Sequence, residues 1–156
     1  MNDGKAIAIV RVRGTTGVSP EVRDGMAFLG LTRVNHCVVV RRTPSVSGTL
    51  DAVKDYVTWG EVDAGTLAQM IERKGRLEGD RKVSDAYVKA SGFASFAALS
   101  EKVVSGEAEL SSVRGMKKPF RLHPPRKGYR SVKRKFPSGA LGNRGAEIGE
   151  LLKRMI

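Results

Sequence analysis

His36-Cys37-Val38-Val39-Val40-Arg41-Arg42-Thr43-Pro44-Ser45-Val46-Ser47-Gly48-Thr49-Leu50-Asp51-Ala52-Val53 reads as a strand running into a helix. The β-branched run from Val38 to Val40 suits an extended chain, with His36 to Arg41 as its span. Thr43 then offers a hydroxyl to the first free amides of a helix, and Pro44 pre-sets the backbone angle of its first residue. Val46, Leu50 and Val53 fall on one side of that helix. Upstream, Lys5 to Val12 forms another strand, with Ile7, Ile9 and Val10, ending before Gly14. Ser19-Pro20-Glu21 repeats the cap-plus-proline device, and Val22, Met26 and Leu29 keep helical spacing up to Gly30. Downstream, Tyr56 to Val62 suits a third strand. Residues 1–62 thus spell β-α-β-α-β, an α+β layer in which two helices cover one face of a small sheet.

Beyond Val62 the pattern is helical. Asp63 caps a segment carrying Leu67, Met70 and Ile71 and ending at Gly75. Ser84 and Ser95 open two more, the second with Phe96, Leu99 and Val103 before Gly106. Residues 63–113 are read as a helical extension whose mixed charges are solvated faces. A last amphipathic helix, residues 147–156, uses Ile148, Leu151, Leu152 and Met155.

Between them lies a different kind of chain. The protein carries 28 Lys and Arg against 16 Asp and Glu over 156 residues, a formal net charge of +12. Residues 114–144 hold 11 of those cations and no acid, leaving 17 basic and 16 acidic residues elsewhere. A near-neutral body therefore carries one basic segment, which points to a polyanion as partner. Segment 114–146 is expected to be an extended arm lying outside the core, because prolines 124, 125 and 137 and the shortage of apolar residues oppose a core of its own. Phe120, Tyr129 and Phe136 are interleaved with Arg121, His123, Arg126, Lys127, Arg130, Lys133, Arg134, Lys135 and Arg144. That alternation suits phosphate neutralisation with stacking on bases or riboses; the plainer alternative is a solvated basic tail. A second group, Arg11, Arg13, Arg33, Arg41 and Arg42, flanks the strands of the first module and would converge on one rim of the sheet to grip phosphate. Scattered surface arginines are the alternative there.

Catalytic and metal-binding readings find little support. His36 and Cys37 are neighbours on a strand, so their side chains leave on opposite faces and cannot pair as base and nucleophile. Cys37 is the single cysteine of the chain, which excludes an internal disulfide and leaves too few soft ligands for a zinc site. Gly139-Ala140-Leu141-Gly142-Asn143-Arg144-Gly145 has the glycine content of a phosphate-cradling loop but no Gly-Lys-Ser/Thr ending. The expectation is no catalytic residue, no metal, no cofactor and no enzyme. The run Cys37–Val40 is too short for a bilayer, and no signal-peptide order precedes it, so a membrane is not expected as partner.

Several of these stretches resemble a known family. Lys5 to Glu61 resembles the L-thirty family of large-subunit ribosomal proteins, through Gly14 before a capped helix, Gly30-Leu31-Thr32-Arg33-Val34-Asn35-His36, and Thr43-Pro44-Ser45-Val46-Ser47-Gly48. Val57-Thr58-Trp59-Gly60, Phe120-Arg121-Leu122-His123-Pro124-Pro125, the 139–145 glycine run and Leu151-Leu152-Lys153-Arg154-Met155-Ile156 look like blocks of its long archaeal form. Arg42 stands where the bacterial pattern favours Asp, Thr49 where Met is usual, and Lys135 where Pro would precede Phe136. The resemblance implies a relative of the ferredoxin-like sandwich with a helical insertion and a basic arm. It implies a structural, cytoplasmic, ribosome-bound role on large-subunit rRNA, near 5S rRNA and beside other large-subunit ribosomal proteins. A free RNA-binding or RNA-chaperone protein of the same fold is the second reading.

Overall fold

A computed structural model describes residues 4–156, so the first three residues of the segment 1–62 lie outside it. The capping residues work as their chemistry suggests. β1 (Ala6–Arg11) leads to α1 (Pro20–Leu29), whose Ser19 hydroxyl accepts from the Val22 amide. Gly30 ends that helix at φ 81°, a left-handed conformation that favours glycine. β2 (His36–Arg41) follows, then α2 (Pro44–Val53), capped by Thr43, and β3 (Val57–Glu61). Asp63 caps α3 (Ala64–Lys74), Ser84 caps α4 (Asp85–Ala90), and Ser95 caps α5 (Phe96–Ser105). The last helix, α6 (Ile148–Met155), begins one residue later than its periodicity suggests, after a 3₁₀ turn at Gly145–Glu147.

The sheet differs from the three-stranded expectation. Two short strands from the basic segment join it, β4 (Phe120–Arg121) and β5 (Gly142–Asn143), giving the order β4-β2-β1-β3-β5. β4 runs antiparallel to β2 and β5 parallel to β3, one on each edge. Both ends of the basic segment are therefore woven into the body. Phe120 is 1% exposed, and Leu122, Ala140 and Leu141 are buried with it, so the expectation of an arm outside the core fails at these positions. Burying those side chains removes apolar area from water, a gain an arm lying free would forgo.

Both faces of the sheet are covered. Ile7, Ile9, Val38 and Val57 pack under α1 and α2 with Met26, Leu29, Leu50 and Val53. Ala6, Ala8, Val10, Cys37 and Val39 face the other way, against Leu67, Met70 and Ile71 of α3, Leu99 of α5 and Leu151, Leu152 and Met155 of α6. Every residue of β1 is buried, the pattern of a central strand with helices on both faces. Gly60 lets this second layer close: a Cβ there would lie 2.9 Å from Ile148 Cβ and collide with the Gly145 carbonyl. The result is a mixed α+β protein with a five-stranded sheet and, among the described residues, six α-helices.

Candidate nucleic-acid interface

β1 is antiparallel to both β2 and β3, so the end of β1 and the starts of the other two lie at one end of the sheet. The basic segment crosses that end on its way from the β2 edge to the β3 edge. Tyr129 holds it there. Its hydroxyl donates to Asn35 Oδ1 at 2.7 Å, and its ring packs with Val12, Ala140 and Leu141. Burial, the largest influence, pushes the phenol up to about 12. Asn35 itself sits at φ 66°, a left-handed position in the turn before β2. Tyr129 is thus a packing residue and a tether, and Phe120 a core residue, where their spacing among cations suggested stacking platforms. Phe136 remains 36% exposed, with the Arg144 guanidinium 5.2 Å from its ring centroid.

The cations sort into three groups. Arg126, Lys127, Lys133 and Arg134 are exposed, and among the described residues their side chains make no hydrogen bond or ion pair. Arg130 donates only to the Pro137 carbonyl at 3.4 Å, and Lys135 lies 3.8 Å from Asp55, so both remain open to an outside anion. Arg33, Arg121 and His123 are exposed nearby, with Arg121 3.3 Å from Asp80. Arg13 borders the same end, over the Tyr56 ring.

A second group is spent on the fold. Arg11 is 3% exposed, its Nε donating to the Arg13 carbonyl at 3.0 Å and its Nη1 to the Leu31 carbonyl at 2.9 Å. Burial pulls it below the usual guanidinium range, although an arginine stays charged at any ordinary pH. It braces the turn and has no free face for phosphate. Arg144 is half-buried, donating to Thr58 Oγ1 and to the Ala140 carbonyl, both at 3.0 Å. Burial first, then the nearby charge of Arg154, lowers it too.

Arg41 and Arg42 form the third group, at the opposite end of the sheet, where β2 finishes. Arg41 donates to the Gly106 carbonyl and Arg42 to Ser47 Oγ at 3.5 Å. The five arginines expected on one rim are therefore split between two ends, because a strand carries its termini to opposite ends of a sheet.

One cation escaped the reading by composition. Arg154 of α6 donates to the carbonyls of Arg126 and Gly128, each at 3.3 Å, and borders a cleft of about 370 Å³ with Lys127, Arg130 and Arg144. It lies ten residues past the acid-free window, and its only local signal is the Lys153-Arg154 pair in a helix's last turn.

This architecture defines a class: a small α+β protein with one cation-rich end and no candidate metal cluster among the described residues. The ribosomal protein L30p/L7e family matches residues 7–57. The chain is also similar to the large ribosomal subunit protein uL30 of Methanocella arvoryzae, 43% identical over 150 residues that span 95% of this chain and 98% of that protein. The uL30 proteins of Archaeoglobus fulgidus (44% identical, 95% and 98% covered) and Methanococcus maripaludis (45%, 97% and 99%) are similar over the same extent. The chain belongs to the ribosomal protein L30p/L7e family, in its long archaeal form.

Proposed function

We infer that this chain is a structural constituent of the large ribosomal subunit, binding and stabilising rRNA without chemistry of its own. The observation that carries the reading is the set of exposed cations on residues 126–135, of which Arg126, Lys127, Lys133 and Arg134 have no side-chain partner among the described residues, on a loop whose two flanks are strands of the sheet. Charges left unpaired on a fixed scaffold suit a partner that supplies the counter-charge. Arg13, Arg33, Arg121, His123, Arg126, Lys127, Arg130, Lys133, Arg134 and Lys135 are the residues proposed to meet phosphate. Arg11, Tyr129 and Arg144 serve by holding that surface in shape, and Arg41 and Arg42 stand apart from it. No helix among the described residues is long and apolar enough to cross a membrane. A position near 5S rRNA, in cytoplasmic ribosomes and against other large-subunit proteins, completes the proposal. Gradient sedimentation of a native lysate tests it: the chain should migrate almost wholly with large subunits and 70S particles. A pool at the top of the gradient that still binds rRNA would favour the free RNA chaperone instead.

A further inference from the structure

The sheet end holds a second cation cluster that the loop does not explain. His36 opens β2, and Arg121 of β4 stands directly opposite it in the register. Directly opposed residues of an antiparallel pair project on the same face. That face is the α1–α2 side, since Val38 packs there while Cys37 points the other way. Arg33 belongs to the turn beneath, its carbonyl accepting the His36 amide at 3.3 Å. From β1, Arg11 adds a buried charge, and the Arg11 carbonyl accepts the Asn35 amide at 2.8 Å. Asp80 brings a carboxylate to Arg121, 3.3 Å away, and is shared with Lys117 at 3.6 Å. The Tyr129 hydroxyl is committed to Asn35. Thr32 Oγ1 lies 3.2 Å from His36 Nδ1, and Nε2 has no partner among the described residues.

We propose that Arg33, His36 and Arg121 hold one phosphodiester of RNA at this end of the sheet, apart from the 126–135 loop, and that His36 joins it as an imidazolium. The proposal rests on the RNA-binding reading above. In the free protein, burial and then the charges of Arg121, Arg33 and Arg11 hold the His36 ring below the ordinary imidazole range, so it is neutral near pH 7. A phosphate between the two exposed arginines reverses that field. The ring then gains a proton, with Nδ1–H donating to Thr32 Oγ1 and Nε2–H to the phosphate. By linkage, whatever raises proton affinity on binding makes binding stronger as pH falls.

The chain has two histidines, His36 and His123, which makes the test tractable. The full chain and its His36→Gln and His123→Gln variants are titrated onto purified large-subunit rRNA at pH 8 and pH 6. Alongside, the His36 Cε1 proton is followed by NMR in inorganic phosphate and in sodium chloride of equal ionic strength. The wild type should bind about three- to tenfold more tightly at pH 6, a shift of up to about one pK unit. His36→Gln should lose that gain and His123→Gln keep it, and the His36 midpoint should be higher in phosphate than in chloride. A pH dependence that is absent from the wild type, or that survives His36→Gln, overturns the site. Failure of every form to bind rRNA at pH 8 instead overturns the RNA-binding reading itself.

Discussion

Tyr129 separates two accounts of the basic segment. As a stacking platform it would keep its function as phenylalanine and lose RNA affinity as alanine, with stability untouched. The structure assigns it the other role: a hydroxyl bonded to Asn35 Oδ1 at 2.7 Å and a ring wedged by Val12, Ala140 and Leu141. Tyr129→Phe should therefore cost about 1 kcal/mol, the net worth of one hydrogen bond with its partner left part-buried. Tyr129→Ala should cost more, about 2–4 kcal/mol; the ring is only half-buried, so the loss falls short of a full aromatic cavity. Urea unfolding measures both, and filter binding to rRNA at several salt concentrations supplies the contrast, with the salt slope of Tyr129→Phe unchanged. A further check is alkaline. The phenol ionises at about 12 when folded, against an ordinary value near 10. A raised folded value adds stability below pH 10 that is lost as pH climbs from 10 to 12, and Tyr129→Phe should lose less stability over that window. If Tyr129→Phe is as stable as wild type while Tyr129→Ala loses only RNA affinity, the tether is wrong and the ring is a stacking surface.

Other perturbations probe the scaffold and the charges. Replacing Arg126, Lys127, Lys133 and Arg134 together by Ala should leave urea stability unchanged and make the log affinity–log salt slope shallower by about 3 to 4 units, each lost phosphate contact removing roughly 0.7–0.9; an unaltered slope would move the anchor elsewhere on the sheet end. Gly60→Ala should destabilise by about 3 kcal/mol or more through its clash with the Gly145 backbone and Ile148; a thermal midpoint within a degree of wild type would contradict that packing. A fragment ending at Val62 should melt cooperatively with a margin of only a few kcal/mol. It should also self-associate in sedimentation, because Ala6, Ala8, Val10, Cys37 and Val39 lose their cover. A non-cooperative melt would count against residues 1–62 as a folding unit.

The elements of this protein were legible wherever the forces are local. Ser19, Thr43, Asp63, Ser84 and Ser95 each cap a helix through a bond to an amide three residues on, so composition and spacing reveal the start of every one. The segregation of charge into residues 114–144 needs no structure to be seen, and it suffices to name a polyanionic partner. What the tertiary structure decided was the use of each cation and each aromatic. β4 and β5 have two residues each, too few for any periodicity, and the Thr58–Gly142 hydrogen bond joins positions 84 apart in the chain. Only that closure turns Phe120 and Tyr129 inward and brings Arg154 under the basic loop. It also leaves Arg33 and Arg121 beside His36 while Arg41 and Arg42 stand at the far end of the same strand. Side chains of one type differ in role here because desolvation and hydrogen-bond supply are set by neighbours distant in sequence, and no local pattern encodes those.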